Sequence, residues 1–135
     1  MSRGVRAVVV GVWAALAGCA GAGGGQPAPD QEVALHEVGE LVRGTTGPHG
    51  KGPAKASDFD KLRTSFPRGY EAVKSGEVVV VWGAGVKGEG DIANGGGEVV
   101  AYEKDAPNSG GYVLLTSGEV KKMTASEFNS APKAK

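Results

Sequence analysis

Val78-Val79-Val80-Val81-Trp82 constrains the fold more than any other segment: four β-branched residues and an aromatic with no polar break. Branching at Cβ stiffens χ1 and suits a pleated surface, so the run predicts a strand. Apolar residues on both alternating faces further predict a central strand covered on both sides. Such a strand needs partners. Val99–Tyr102 supplies a second strand, and Tyr112–Thr116 with Glu119–Met123 reads as a hairpin through Ser117-Gly118. A two-residue connection would set Leu115 opposite Val120. Lys121 and Lys122 would then point to opposite faces, a pattern that protects a free sheet edge rather than forming a binding patch. Thr124-Ala125-Ser126-Glu127 is a capping box, with Met123 and Phe128 placed as its hydrophobic staple, so a short helical turn over about 125–129 should follow.

Helices precede the sheet. Asp30 and Glu32 suit a helix N-terminus, and Ala34, Leu35, Val38, Leu41 and Val42 recur at three- and four-residue spacing, which is one apolar helical face. Gly44 marks its end, giving a helix over 31–43. Residues 44–56 (GTTGPHGKGPAKA) lack periodicity and read as a loop. Ser57 and Asp60 have capping-box spacing before a second, short helix whose inner side carries Phe59, Leu62 and Phe66, and Pro67-Arg68-Gly69 reads as the turn that ends it. The expected fold is therefore α+β: an N-terminal amphipathic helix and a short second helix packed on an antiparallel sheet of about four strands, with a short C-terminal helical turn. One small domain should span residues 30–130, leaving 131–135 as a polar, disordered tail.

The opening residues stand apart from that domain. Arg3 and Arg6 precede the apolar stretch Ala7–Ala17, of signal-peptide length and shorter than the roughly 20 residues that cross a bilayer. Leu16-Ala17-Gly18-Cys19 resembles the lipobox of bacterial lipoproteins: an aliphatic residue, two small residues and the obligatory Cys. The resemblance implies that residues 1–18 are a removed signal peptide, that the Cys19 thiol carries diacylglycerol and that its new amine is acylated. Two or three acyl chains, at about 0.8 kcal/mol per buried CH₂, hold a protein stably where one does not. Ala20 stands where an Asp would retain a lipoprotein at the inner membrane, so by the same resemblance the outer membrane is favoured. Residues 19–29 form a Gly/Pro-rich tether, whose glycine-rich part has a coil span of roughly 17 Å.

Removing 18 residues from 135 leaves 117, and removing Arg3 and Arg6 from the 15 Lys+Arg leaves 13 against 15 Asp+Glu. A balance near neutrality gives no footprint for nucleic acid. With the sole Cys lipidated there is no thiol for a disulfide or for catalysis. Gly83-Ala84-Gly85-Val86-Lys87-Gly88 matches the dinucleotide-binding pattern G-x-G-x-x-G after a strand, but a pyrophosphate site also needs the last glycine to open a helix. Gly88, Gly90, Gly95, Gly96 and Gly97 each disfavour helix by about 1 kcal/mol, so Gly83–Gly97 reads as a strand-to-strand loop and no nucleotide or other cofactor is expected. Glu89, Asp91, Asn94 and Glu98 in that loop lack the EF-hand order, yet leave a cation or small molecule as the alternative ligand of the loop. His36 and His49 have no metal-ligand partner at helical spacing. Ser57, Ser65, Ser109 and Ser117 occupy caps or turns outside any nucleophile-elbow pattern. Trp82, Tyr102 and Tyr112 read as core aromatics. No metal site and no catalytic set emerges, and a non-enzymatic role is expected.

Ser109-Gly110-Gly111-Tyr112-Val113-Leu114-Leu115-Thr116-Ser117-Gly118-Glu119-Val120, followed by Met123 and Thr124–Phe128, resembles the C-terminal part of pseudopilin-type proteins of the prepilin-processing-associated H-x9-D-G group. Pro107 stands where that group has His, and Ser117 where it has Asp. The mature chain is also similar to small uncharacterised lipoproteins with a Trp-Gly strand end and a Val-Val-Ala-Tyr-Glu strand. Together these resemblances imply a membrane-anchored envelope protein serving as an interaction or accessory module, with an envelope protein partner and a link to a secretion or pseudopilin-like system. The prepilin peptidase site and long apolar helix are absent from the sequence, so entry into a filament through an N-terminal helix is not implied.

Overall fold

Helix α1 runs from Pro29 to Thr45 in the computed structural model, which describes residues 29–87 and 97–135. The predicted apolar face is the buried one: Leu35, Val38, Leu41 and Val42 are fully shielded from solvent. The helix passes through Gly44 rather than stopping there, and Thr45 and Thr46 donate hydroxyl hydrogen bonds to the Leu41 and Val42 carbonyls of its last turn. A Cβ on Gly44 would meet Leu62 Cδ1 at 2.7 Å, so this glycine makes room for a neighbour.

A 3-10 helix over Ala56–Leu62 follows. Its start is held by the Asp58 carboxylate, which accepts from the N–H groups of Ala54 and Lys55, and not by the Ser57/Asp60 pair. The expected turn at Pro67-Arg68-Gly69 is instead the first turn of a further helix, α2 (Pro67–Ser75). Proline at the first helical position starts a helix as readily as it ends one, because its missing N–H is not needed there. Gly69 is the crossing point of the two helices. A Cβ there would lie 2.8 Å from Val38 N and 2.8 Å from Glu37 Cβ, and its N–H donates to Glu37 Oε2 at 2.8 Å.

Four strands form one antiparallel sheet in chain order: β1 (Val78–Val80), β2 (Val99–Glu103), β3 (Gly111–Leu115) and β4 (Val120–Met123). The valine run is therefore an edge strand of three residues, not the central strand predicted for it. Val78 and Val80 are buried, whereas Val79 is 37% and Trp82 41% exposed. The strand buried on both faces is β3. Tyr112 and Leu114 face α1 and α2, while Val113 and Leu115 face a second apolar cluster. That cluster is closed by helices α3 (Ala106–Ser109) and α4 (Ala125–Ser130) through Ala106 and Phe128.

The β3–β4 register differs from the sequence expectation by one residue. Leu114, not Leu115, opposes Val120. Gly118 takes a left-handed φ of 85° and donates to the Leu115 carbonyl, while Leu115 N donates to Glu119 O. Thr116-Ser117-Gly118 is thus a three-residue loop ending in a glycine bulge, and a one-residue slip exchanges the faces of every side chain. The capping box forms as predicted: Glu127 N donates to Thr124 Oγ1 at 3.1 Å and Thr124 N to Glu127 Oε2 at 2.8 Å.

Residues 131–135 are docked rather than a disordered tail. A register shift between Val99 and Ala101 places a bulge in β2. Val100 O accepts from Val81 N, and Val99, beyond the end of β1, accepts from Ala134 N and donates to Pro132 O. Ala134 is buried, and the Lys133 ammonium lies 4.1 Å from the Phe128 ring centroid and donates to the Phe128 and Ala131 carbonyls. The tail occupies the sheet edge that the short β1 leaves open.

Candidate functional site

The glycine segment after β1 is packed where it is described. Gly83 N donates to Pro53 O, Gly52 N donates to Gly83 O, and Lys87 N donates to Thr116 O. A Cβ on Gly85 would approach Gly50 O to 2.7 Å, and one on Gly52 would collide with the Ala84 carbonyl. These glycines allow two backbone segments to touch, a sufficient reason for the repeated Gly that involves no phosphate. Residues 88–96, with Glu89, Asp91 and Asn94, lie outside the described residues, as do Cys19 and the residues before Pro29.

His36 is exposed on α1, 3.8 Å from Glu32, and His49 is exposed in the loop after it. Among the described residues no group of three or more His, Cys, Asp or Glu side chains could hold a metal ion, and no helix is long and apolar enough to cross a membrane. Of the three aromatics expected in the core, Tyr112 is buried and Tyr102 packs against Phe128 with ring centroids 4.7 Å apart. Trp82 lies partly in solvent against Phe59, centroids 5.8 Å apart.

A large concavity lies elsewhere. An open groove of about 1030 Å³ runs between the first turn of α1, one side of α2, and the sheet end where β1 begins, β2 ends and β3 begins. Sequence spacing gave no sign of it, because its residues come from five separated segments. Asp30, Glu71, Glu77, Glu103 and Asp105 supply carboxylates, and Arg68, Lys104 and Lys122 supply cations. Arg68 is engaged with Asp30 at 2.9 Å, tying α2 to α1 at the rim. Glu103 Oε2 accepts from Tyr112 N at 2.6 Å and so fixes the entry of β3.

Tyr112 lines this groove although only 6% of its surface is exposed. Burial, and then the nearby Glu32 and Glu103 charges, push its phenol above the ordinary tyrosine value. Tyr70 is raised as well, first by the hydrogen bond from its hydroxyl to Asp60 Oδ1 at 2.8 Å, which ties α2 to the 3-10 helix. The phenol of Tyr112 has no such partner among the described residues.

No protein-family model, no curated protein and no solved structure matches the chain.

Proposed function

We propose that this chain is the precursor of a bacterial envelope lipoprotein, anchored in a membrane through lipidated Cys19, with the outer membrane favoured over the inner. One observation carries the reading: Leu16-Ala17-Gly18-Cys19 closes an apolar segment of signal-peptide length that follows Arg3 and Arg6, and Cys19 is the only cysteine in the chain. The folded residues then serve as a non-enzymatic interaction or accessory module for an envelope partner. The sequence likeness of residues 98–128 to pseudopilin-type proteins supports placing that partner in a secretion or pilus-like assembly.

Expression of Cys19→Ala in a bacterial host tests the anchor. The dedicated peptidase cuts only before a modified Cys, so the variant should accumulate uncut and without acyl mass, while the parent yields a lipidated chain beginning at Cys19. A variant processed at the same bond and extracted with the membrane would refute the assignment.

A further inference from the structure

We propose that the groove between α1, α2 and the β2–β3 end of the sheet binds a linear organic dication, a small molecule carrying two ammonium groups, with the Tyr112 hydroxyl as a hydrogen-bond partner at its floor.

Charge is the first support. Five carboxylates and three cationic side chains line the groove, an excess of two negative charges. The Asp30–Arg68 pair leaves that excess unchanged. Glu71, Glu77 and Asp105 make no ion pair with any described residue, and Glu32 adds its charge near Tyr112. Charged walls bordering a low-dielectric floor concentrate counter-ions of opposite sign. Two ammonium groups match the excess carried by the lining residues themselves. Residues 20–29, which lead into α1, contain no charged side chain, so that stretch cannot supply the missing cations.

The second support is independent of charge. Tyr112 is 94% buried by its 6% exposure, yet its hydroxyl makes no hydrogen bond to a described residue. No described side-chain nitrogen or oxygen is both fully buried and unpartnered, so the hydroxyl must keep a solvent-facing opening, and Tyr112 lines the groove. A phenol held this way, with most of its ring in the core, usually finds a partner. An ammonium N–H can donate to its oxygen while carboxylates above take the remaining donors. Arg68, Lys104 and Lys122 also line the groove and repel any cation close to them. An extended ligand that holds its two charges apart therefore suits it better than a compact metal ion, for which no group of three or more His, Cys, Asp or Glu is assembled among the described residues.

The proposal is independent of the lipid anchor, and its test does not depend on processing at Cys19. The full chain, in nonionic detergent, is titrated calorimetrically with putrescine at moderate salt, with magnesium chloride and sodium chloride at matched ionic strength as controls. Saturable binding at one site is expected, with the salts failing to reproduce it. The ligand should also lower the pH at which tyrosinate absorbance appears, because a neighbouring cation favours the phenolate. Tyr112→Phe keeps the ring in the core, abolishes that absorbance change and weakens binding about tenfold, the loss of one hydrogen bond to a charged group. Glu77→Gln, on an exposed side chain, should weaken binding severalfold while leaving the fold intact. No saturable binding at millimolar ligand would overturn the proposal. So would equal binding by Tyr112→Phe and Glu77→Gln, or complete reproduction of the heat by magnesium.

Discussion

Replacing Gly69 by Ala sets two physical effects against each other. Gly69 lies in the first turn of α2, where alanine should favour helix by up to about 1 kcal/mol. Packing opposes it. The new Cβ would sit 2.8 Å from Val38 N and 2.9 Å from the Glu37 carbonyl carbon, both backbone atoms of α1 that no rotamer change can move aside. Relief requires the helices to separate, and overpacking of this kind costs about 1–3 kcal/mol. Separation also stretches the hydrogen bond from Gly69 N to the Glu37 carboxylate, an interaction with a charged group worth about 1.5–3 kcal/mol. Net destabilisation of about 2–4 kcal/mol is expected, which lowers a urea midpoint by roughly 1–2 M for a domain of this size. Circular dichroism against urea reads this directly. Gly39→Ala is the internal comparison: its Cβ meets side-chain methyls of Leu114, Cδ1 at 3.3 Å and Cδ2 at 3.7 Å, and no backbone atom, so its midpoint should fall less than that of Gly69→Ala. A Gly69→Ala midpoint equal to or above the parent would refute the close crossing of α1 and α2.

Deleting Pro132–Lys135 should cost about 1–3 kcal/mol in the same assay, since it removes two backbone hydrogen bonds to Val99 and the buried Ala134; an unchanged midpoint would mean the tail is not docked. Thr124→Ala should cost about 1 kcal/mol through the lost N-cap, and wild-type unfolding curves at neutral pH would have to match the variant's to discount it. Glu127 adds a pH dependence of known sign. The Thr124 backbone N–H, followed by its hydroxyl, holds the Glu127 carboxyl below its ordinary value, so the stabilisation is complete above the unfolded-state value and fades as pH falls through the folded one. Glu127→Gln should accordingly flatten the acid limb of the stability curve. NAD, NADP, ATP and FAD at millimolar concentration should show no saturable binding, because the described half of the glycine run is spent on backbone contacts and opens no helix; micromolar binding lost in Gly85→Val would contradict this.

Local information was enough for several elements. The α1 stripe, the Thr124–Glu127 capping box and four antiparallel strands were legible because each depends on residues within a turn or two of one another, or on simple alternation. Strand rank in the sheet is different. The valine run and Gly111–Leu115 are both apolar, and nothing local says which will be covered twice; α3 and α4 fold over β3, while β1 stays at the edge and the C-terminal residues dock on β2 beyond its end. The hairpin slip came from Gly118, whose left-handed φ adds a third loop residue that alternation alone does not reveal.

The sequence by itself determined which faces of α1 and the strands are apolar, because that is a matter of short-range periodicity, and it alone holds the lipobox-like segment on which the proposed anchor at Cys19 rests. Tertiary structure alone decided the use of the glycines and the existence of the groove. Gly44, Gly52, Gly69 and Gly85 read as stops or loops in one dimension but prove to be places where distant segments touch. Asp30, Glu71, Glu77, Glu103 and Tyr112 are spread over more than eighty residues and become neighbours only when α1 crosses α2 above the sheet end. Contacts across such separations depend on how whole elements pack, and residue spacing carries no record of that.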